Sequence, residues 1–535
     1  MPRPVLRPLS APEVVAARAS CKPKTPAPEF GELLTDSFAS GSSSAAQVQR
    51  TAASAMQWLD SHGGRVKDSG DTVARLSKLG CSGKWSANAE RDCHRLMRKM
   101  DNWLGAKISY RDVRMVNPST LEISMQKLPM ILPHDMLLAL WAKGRKVFDK
   151  CLFGALTPPE VKEYWDHLET HTNWFSNHPA SAWHDRSRLA GVATYGDEVQ
   201  AYRNSECGAV AVCAFTPDLA YKNDPCNRYY PICLWSEHHE CEHTYNDAMK
   251  YVVRSFRRLM DPTATWPWTA EGYHVTFTSA QGDLKWLNEK MGLHNFRSNN
   301  FCSRCTCKKT AENVYDSLTN FSSDPTAFPE QDYTEVDMGA GVYKDKLAKV
   351  LKRAHRDFLL FKKLRGMQCF PSLQSKAAPG KILTHWLACR AQQWAERVDA
   401  TESDKVVASC IFAYDMMLRT MDEGRHIFTE EQANRFGYFT LRHLRCYAWL
   451  HDFGMKAQLH VPGRRSWLLL PKLHHLWHLC HDTVRSRINP KFVTLLTAES
   501  FIGIIGRIAR SCHRSSVSTR TLERYQVLMI HKLPK

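Results

Sequence analysis

The sequence predicts an α/β fold: a strand-rich core preceded by an N-terminal helical region and interrupted by a large helical insertion. Three observations predict it. Strand-like runs fall together in the middle of the chain, as LAGVATYGDEVQ, ECGAVAVCAFT, NRYYPICLW and GYHVTFTSAQ. On both sides of them apolar residues repeat at three and four, the period of a helix. The 535 residues are 43% hydrophobic and 24% charged, enough apolar material for a sizeable core spread over several domains.

Residues 1–45 are rich in Pro, Ala and Ser and end in ASGSSSAA, which predicts a disordered tail. A basic helical region follows over 46–127, with Trp58, Leu59, Leu76, Leu96, Met97 and Trp103 at helical spacing. Its Lys and Arg residues suit either a DNA-contacting module or simply solvated helix faces. Residues 128–186 contain LPHDMLLALW and PPEVKEYWDHLETH, helices that open on proline, and serve as scaffold. From 187 to 310 come three strands, the helix ECEHTYNDAMKYVVRSFRRLM, a fourth strand and a short helix. That order is the one used by ribonuclease H-like folds, in which an acid ending the first strand meets an acid following the fourth. Residues 311–465 return to helices such as SDKVVASCIFAYDMMLRTM, forming the insertion, and 466–535 complete the core. No internal repeat is present.

Seventy-two Lys and Arg against 54 Asp and Glu give a net charge of +18. A basic surface attracts polyanions, so DNA is the expected partner, with a second copy of the chain also expected; a generically basic surface is the plainer reading. No apolar run approaches the ~18 residues that cross a bilayer, and prolines interrupt the N-terminus where a secretory signal has its apolar core. The expectation is an intracellular, nuclear protein without a membrane partner. Its 18 cysteines then read as free thiols or metal ligands.

Metal-assisted phosphoryl transfer needs carboxylates close enough to share Mg²⁺ or Mn²⁺, each ion keeping several waters. By strand order Asp197 and Asp283 are the first two candidates. Glu499, a lone carboxylate in LLTAESFIGIIGRIA, is the third. Singly, each is weak, because Asp after a strand is commonly a turn or cap residue. Glu198 takes the first place if the register of the strand is shifted by one.

The segment SAQGDLKWLNEKMGLHNFRSNNFCSRC resembles the block of CACTA-type transposases in which Gly-Asp-Leu precedes a short helix, a bend and Cys-x-x-Cys. YYPICLW resembles the tract after their first acid, and LPKLHHLWHL with TAESFIGIIGRIARSC resembles their His-rich helix and terminal acid block. The course from LPHDMLLALW onward is also similar to a multicopy family of transposase-like proteins in unicellular algae. The resemblance covers about two thirds of the chain and implies a DDE transposase, with Asp197, Asp283 and Glu499 as the Mg²⁺-binding catalytic acids. The gap from Asp283 to Glu499 is more than twice that from Asp197 to Asp283, which the helical insertion accounts for. Two departures stand out. The first block reads YGDEVQ in place of Asp-Gly, and the last reads AES in place of Glu-Arg.

Cys302, Cys305 and Cys307 form C-x-x-C-x-C, with His294 upstream, a set suited to structural Zn²⁺ or to reduced thiols beside a basic loop. A zinc here would fix the loop after Asp283. A second cluster, Cys233, His238, His239, Cys241 and His243, contains His-x-Glu; with Cys302 and Cys305 it suggests a zinc deaminase, but Phe301 stands where that motif has proline. His474, His475, His478 and His481 lie at helical spacing, as a polar helix face does. The expected function is a transposase-derived, metal-dependent DNA nuclease and strand transferase. The alternatives are a transposase-derived DNA-binding protein that no longer cuts and a zinc-stabilised interaction module.

Overall fold

The computed structural model describes residues 29–62, 71–80, 88–99, 103–117, 120–172, 174–201, 208–220, 224–291, 293, 377–456, 467, 469–492 and 496–533. It is a mixed α/β protein whose chain divides into two compact units. One is made of Met1–Gly105 with Arg507–Leu533, the other chiefly of Ala106–Gly506.

The first unit holds α1 (Phe30–Ala39), α2 (Ala45–Ser61), α3 (Thr72–Ser77), α4 (Ala89–Lys99) and the C-terminal α15 (Val517–Lys532). Helix α1 falls where a tail was expected: FGELLTDSFA buries Leu34 and Phe38 four residues apart, so its apolar stripe is enough to hold it. Most of α15 is buried, polar residues included. The Arg524 guanidinium donates to Glu90 at 2.9 Å and to Ser511 Oγ at 2.6 Å and lies 4.2 Å from the Phe38 ring centroid. These partners explain why residues 507–533 join the N-terminal helices, where a place in the strand-rich core was expected.

The second unit is built on a six-stranded sheet of order β1-β2-β5-β4-β3-β6. Its strands are β1 (Ser109–Val116), β2 (Ile123–Met130), β3 (Leu189–Gln200), β4 (Ala209–Pro217), β5 (Tyr230–Ser236) and β6 (His274–Gly282). Strands β3, β4 and β5 form an antiparallel meander, and β6 lies parallel to β3 on its other side. The hairpin β1–β2 extends the sheet beyond β5 and occupies a stretch expected to be helical. Central strands carry near-continuous apolar runs because they are covered on both faces: all seven residues of β5 are buried.

Helices α5 (Pro133–Ala142), α6 (Arg145–Phe153) and α7 (Pro158–His171) precede β3, and Trp165 of α7 donates its indole N–H to the Leu189 carbonyl at 2.8 Å. Between β5 and β6, α8 (Thr244–Met260) packs on the sheet through Phe256, whose ring centroid is 5.1 Å from that of Phe277. The short α9 (Leu284–Glu289) follows β6. Helices α10 (Ala377–Ala395), α11 (Glu402–Glu423) and α12 (Glu430–Lys456) form the expected helical region, and α13 (Pro471–Ser486), expected in the core, packs with them through Leu476 and through Cys480, whose thiol donates to the Gly437 carbonyl at 3.5 Å. Phe412, Met417, Met421, Phe428, Phe436 and Phe439 make the core of that region. Helix α14 (Leu496–Arg510) carries Glu499. The stretch Pro490–Arg510 is long and apolar enough to cross a bilayer, which corrects the sequence count, although 57% of its window is buried inside the protein.

Candidate functional site

Two Gly-Asp pairs, Gly196-Asp197 and Gly282-Asp283, end the parallel pairing of β3 with β6. The ladder pairs Gly196 with Gly282 as its last step, so the two aspartates leave neighbouring strands side by side in the same direction. Asp197 still belongs to β3, which continues against β4 with Asp197 opposite Val212. The sequence expectation placed it just past the strand; the β3–β4 arm is longer because its residues through Gln200 keep an antiparallel partner.

Helix α9 fixes the second acid. The Asp283 carboxylate accepts the backbone N–H of Trp286 at 2.6 Å, an N-cap bond, and the turn it sets lays the Trp286 ring over both glycines. A Cβ on Gly196 would come within 2.0 Å of that ring, and one on Gly282 within 2.8 Å. Only glycine fits at either place. Trp286, 4% exposed, therefore forms a lid over the backbone between the two acids, braced by Tyr245 of α8 at 5.9 Å.

Asp197 is half-buried. The Tyr195 hydroxyl donates to one of its oxygens and the Glu198 backbone N–H to the other, both at 2.7 Å. Burial raises its pKa above the usual carboxylate value, the nearby charges of Asp283 and Glu198 push the same way, and the two hydrogen bonds oppose. Tyr195 is itself held neutral, first by burial and then by the Asp197 charge. Glu198 has another occupation: Lys285 binds it at 2.6 Å and Lys290 stands at 3.6 Å. Of the two adjacent acids, Asp197 is therefore the one that stands with Asp283.

Behind this pair the aromatic rings of Tyr195, Tyr229 and Phe501 pack together, Phe501 stacking on Tyr229 at 5.2 Å and meeting Tyr195 at 6.1 Å. Buried Arg228 donates to Thr497 Oγ1 at 2.8 Å and to the Phe492 carbonyl at 2.9 Å, fastening the start of α14. Thr497 and Phe501, four apart, thus mark the side of α14 that faces the core. Glu499 lies about 200° round the helix from each and is exposed. The structure brings Asp197 and Asp283 together and holds Glu499 on a different side of its helix.

Among the described residues no group of three or more His, Cys, Asp or Glu side chains is gathered as metal ligands would be. Carboxylate oxygens each have two lone pairs, so Asp197 and Asp283 keep acceptor capacity beside their present donors. His294, Cys302, Cys305 and Cys307 lie outside the described residues. In the second cluster Cys233 is buried in β5, Glu240 pairs with Lys290, and the Cys241 thiol donates to the Arg114 carbonyl at 3.4 Å. His474 is buried in α13 and stacks on Trp477 at 5.7 Å. Tyr195 and Trp286 were not anticipated as supports of the acids, although an aromatic two residues before Asp197 and another three after Asp283 are visible once the Gly-Asp pairs are set side by side. Compared with known proteins, the chain matches no family model and none of the curated sequences.

Proposed function

We propose that the chain is a transposase-derived DNA nuclease and strand transferase with a ribonuclease H-like core, in which Asp197 and Asp283 form the metal-binding pair. The observation that carries the proposal is the sheet itself: an antiparallel meander β3-β4-β5, a fourth strand β6 parallel to the first, and an aspartate leaving each member of that parallel pair. Two acids in this position, one raised in pKa chiefly by burial and further by its neighbours' charges, form a place where a hydrated divalent cation relieves repulsion. The residues present fit Mg²⁺ or Mn²⁺, whose chemistry when bound is to activate water and neutralise phosphate charge. Tyr195 and the Glu198 N–H orient the Asp197 carboxylate, and the Trp286 N–H orients that of Asp283. DNA is the substrate, and the nucleus is where the chain would meet it.

The test is cleavage and strand transfer of labelled duplex DNA carrying element ends, with Mg²⁺ or Mn²⁺. Replacing Asp283 or Asp197 by Asn is expected to lower cleavage by at least ~10²-fold, the scale of losing charge stabilisation at the reacting centre. Glu499→Gln is expected to leave it within a few-fold; a loss as large as that of Asp283→Asn would put α14 in a different rotation and restore the full acid triad.

The exposed side of α14 on which Glu499 stands favours a second reading, a DNA-binding descendant that has lost its chemistry. DNA binding without metal-dependent cleavage of any element end is its signature. A zinc-stabilised module, the third possibility, predicts instead that chelation unfolds the chain while cleavage is absent throughout.

A further inference from the structure

The proposed function does not use a cluster of cations on the far end of α8. Arg254, Arg257 and Arg258 stand exposed near the C-terminus of that helix, while Lys107 and Arg111 come from the segment leading through β1. After burial, the charges of Arg258, Arg111 and Lys107 all act on His134 to hold its pKa down, against Asp135, so the three converge on one place. Two of the guanidinium groups are steadied by rings: Arg111 lies 5.5 Å from the Tyr251 centroid and Arg258 5.3 Å from that of Trp266. The Arg111 Nε is buried with no hydrogen-bond partner.

Among the described residues no carboxylate forms an ion pair with any of the five. The acids close by are spent elsewhere. Asp247 takes Arg114 at 2.6 Å and Lys250 at 2.8 Å, Asp112 takes Lys127 at 2.8 Å, Asp261 accepts from Thr263, and Asp135 stands 3.7 Å from His134. Basic residues in a last turn are explained in part by the helix dipole. That accounts for Arg257 and Arg258 and leaves Lys107 and Arg111, on another element, unexplained. A membrane-surface helix would turn its apolar side outward, but α8 buries Val252, Phe256 and Leu259 against the sheet.

We propose that Lys107, Arg111, Arg254, Arg257 and Arg258 form a surface that binds the phosphate backbone of duplex DNA. It takes its partner from the proposed function and does not depend on whether Asp197 and Asp283 cut. Arginines held over aromatic rings present a planar guanidinium fork in a fixed place, the geometry that suits phosphate oxygens. Contacts of this kind set position and give no sequence preference.

The experiment measures binding of the full chain to a labelled duplex by fluorescence anisotropy without divalent metal, as salt is raised from about 50 to 200 mM. Arg254→Gln/Arg257→Gln/Arg258→Gln is expected to reduce the slope of log affinity against log salt by about 3 and to weaken binding by roughly 10²-fold at 0.1 M. Lys107→Gln/Arg111→Gln, on a separate element, should reduce the slope by about 2. Lys405→Gln/Lys472→Gln/Arg485→Gln, which removes equal charge elsewhere, should leave the slope unchanged. Circular dichroism confirms that each variant is folded. Unchanged slopes in both patch variants, equal losses in the control, or binding to phosphatidylserine vesicles in place of duplex would overturn the surface. Cleavage by the wild type together with unchanged slopes overturns the surface alone; a lost slope with no cleavage upholds it and overturns the active-enzyme reading.

Discussion

Gly196 and Gly282 each stand one residue before a candidate acid, and both are glycine because the Trp286 ring occupies the space a side chain would need. The same tryptophan gives its backbone N–H to Asp283. Sterics at the glycines and the direction of the carboxylate are therefore one property. Gly196→Ala is expected to push the ring out, at a cost of about 1–3 kcal/mol, the usual range for overpacking. Thermal denaturation measures that loss, and a red shift of tryptophan emission reports the displaced ring; unchanged stability would contradict the contact. At this scale the sequence was partly legible. Two Gly-Asp pairs on the first and fourth strand-like runs are visible in the sequence. That Asp283 caps α9 was not separable beforehand, because a capping aspartate and a ligating aspartate at a strand end have the same neighbours in sequence. The burial that raises Asp197, with the Asp283 charge added to it, is a matter of three dimensions and has no mark in the chain.

Among elements, the meander β3-β4-β5, the helix α8 and the strand β6 come in the order the apolar runs predict, since covered central strands leave long apolar stretches. The hairpin β1–β2 was missed for a physical reason. SYRDVRMV alternates, but Arg111 and Arg114 occupy places that read as a basic helix, and their partners, the Tyr251 ring and the Asp247 carboxylate, come from distant α8. The orientation of α14 was equally illegible: TAESFIGIIGRIA is amphipathic enough to turn more than one side inward, and Arg228 together with Tyr229 selects the side of Thr497 and Phe501. Phe501→Ala is expected to destabilise the second unit by about 3–5 kcal/mol, as burial of a phenyl ring implies. Hydrogen exchange should then speed up over 496–506, the part of α14 that the ring anchors. Protection unchanged there would mean that Arg228 alone holds the helix.

For the whole molecule, acid is the condition that tests how its parts are held. His94 and His474, one in each unit, both have pKa values lowered to about 4, chiefly by burial. Around His94, Glu90 pulls upward, as does the buried Glu523 carboxylate 3.2 Å from Nδ1, while Arg520 and Arg524 push downward. Each imidazole is neutral in the fold and ordinary in the unfolded chain, so below about pH 6.5 the unfolded chain binds more protons. Stability is full above that pH and falls as pH drops toward 4, by on the order of 2–3 kcal/mol for each group. Urea denaturation at pH 7 and pH 5 measures it, and His94→Gln should flatten the dependence for the first unit; a midpoint that does not move between the two would refute the assignment. Domain boundaries were the least legible level, because composition shows where elements lie but not which distant ones share a core. The placing of α15 with α1 and α4 through Arg524 and Glu90 carries a consequence for synthesis. The first unit is assembled from both ends of the chain, so its N-terminal helices emerge from the ribosome about 400 residues before their partner, a wait of roughly 20–80 s at ~5–20 residues per second. During that wait the faces of Phe38 and His94 that α15 covers stand open, and their shelter falls to chaperones or to a neighbouring nascent chain.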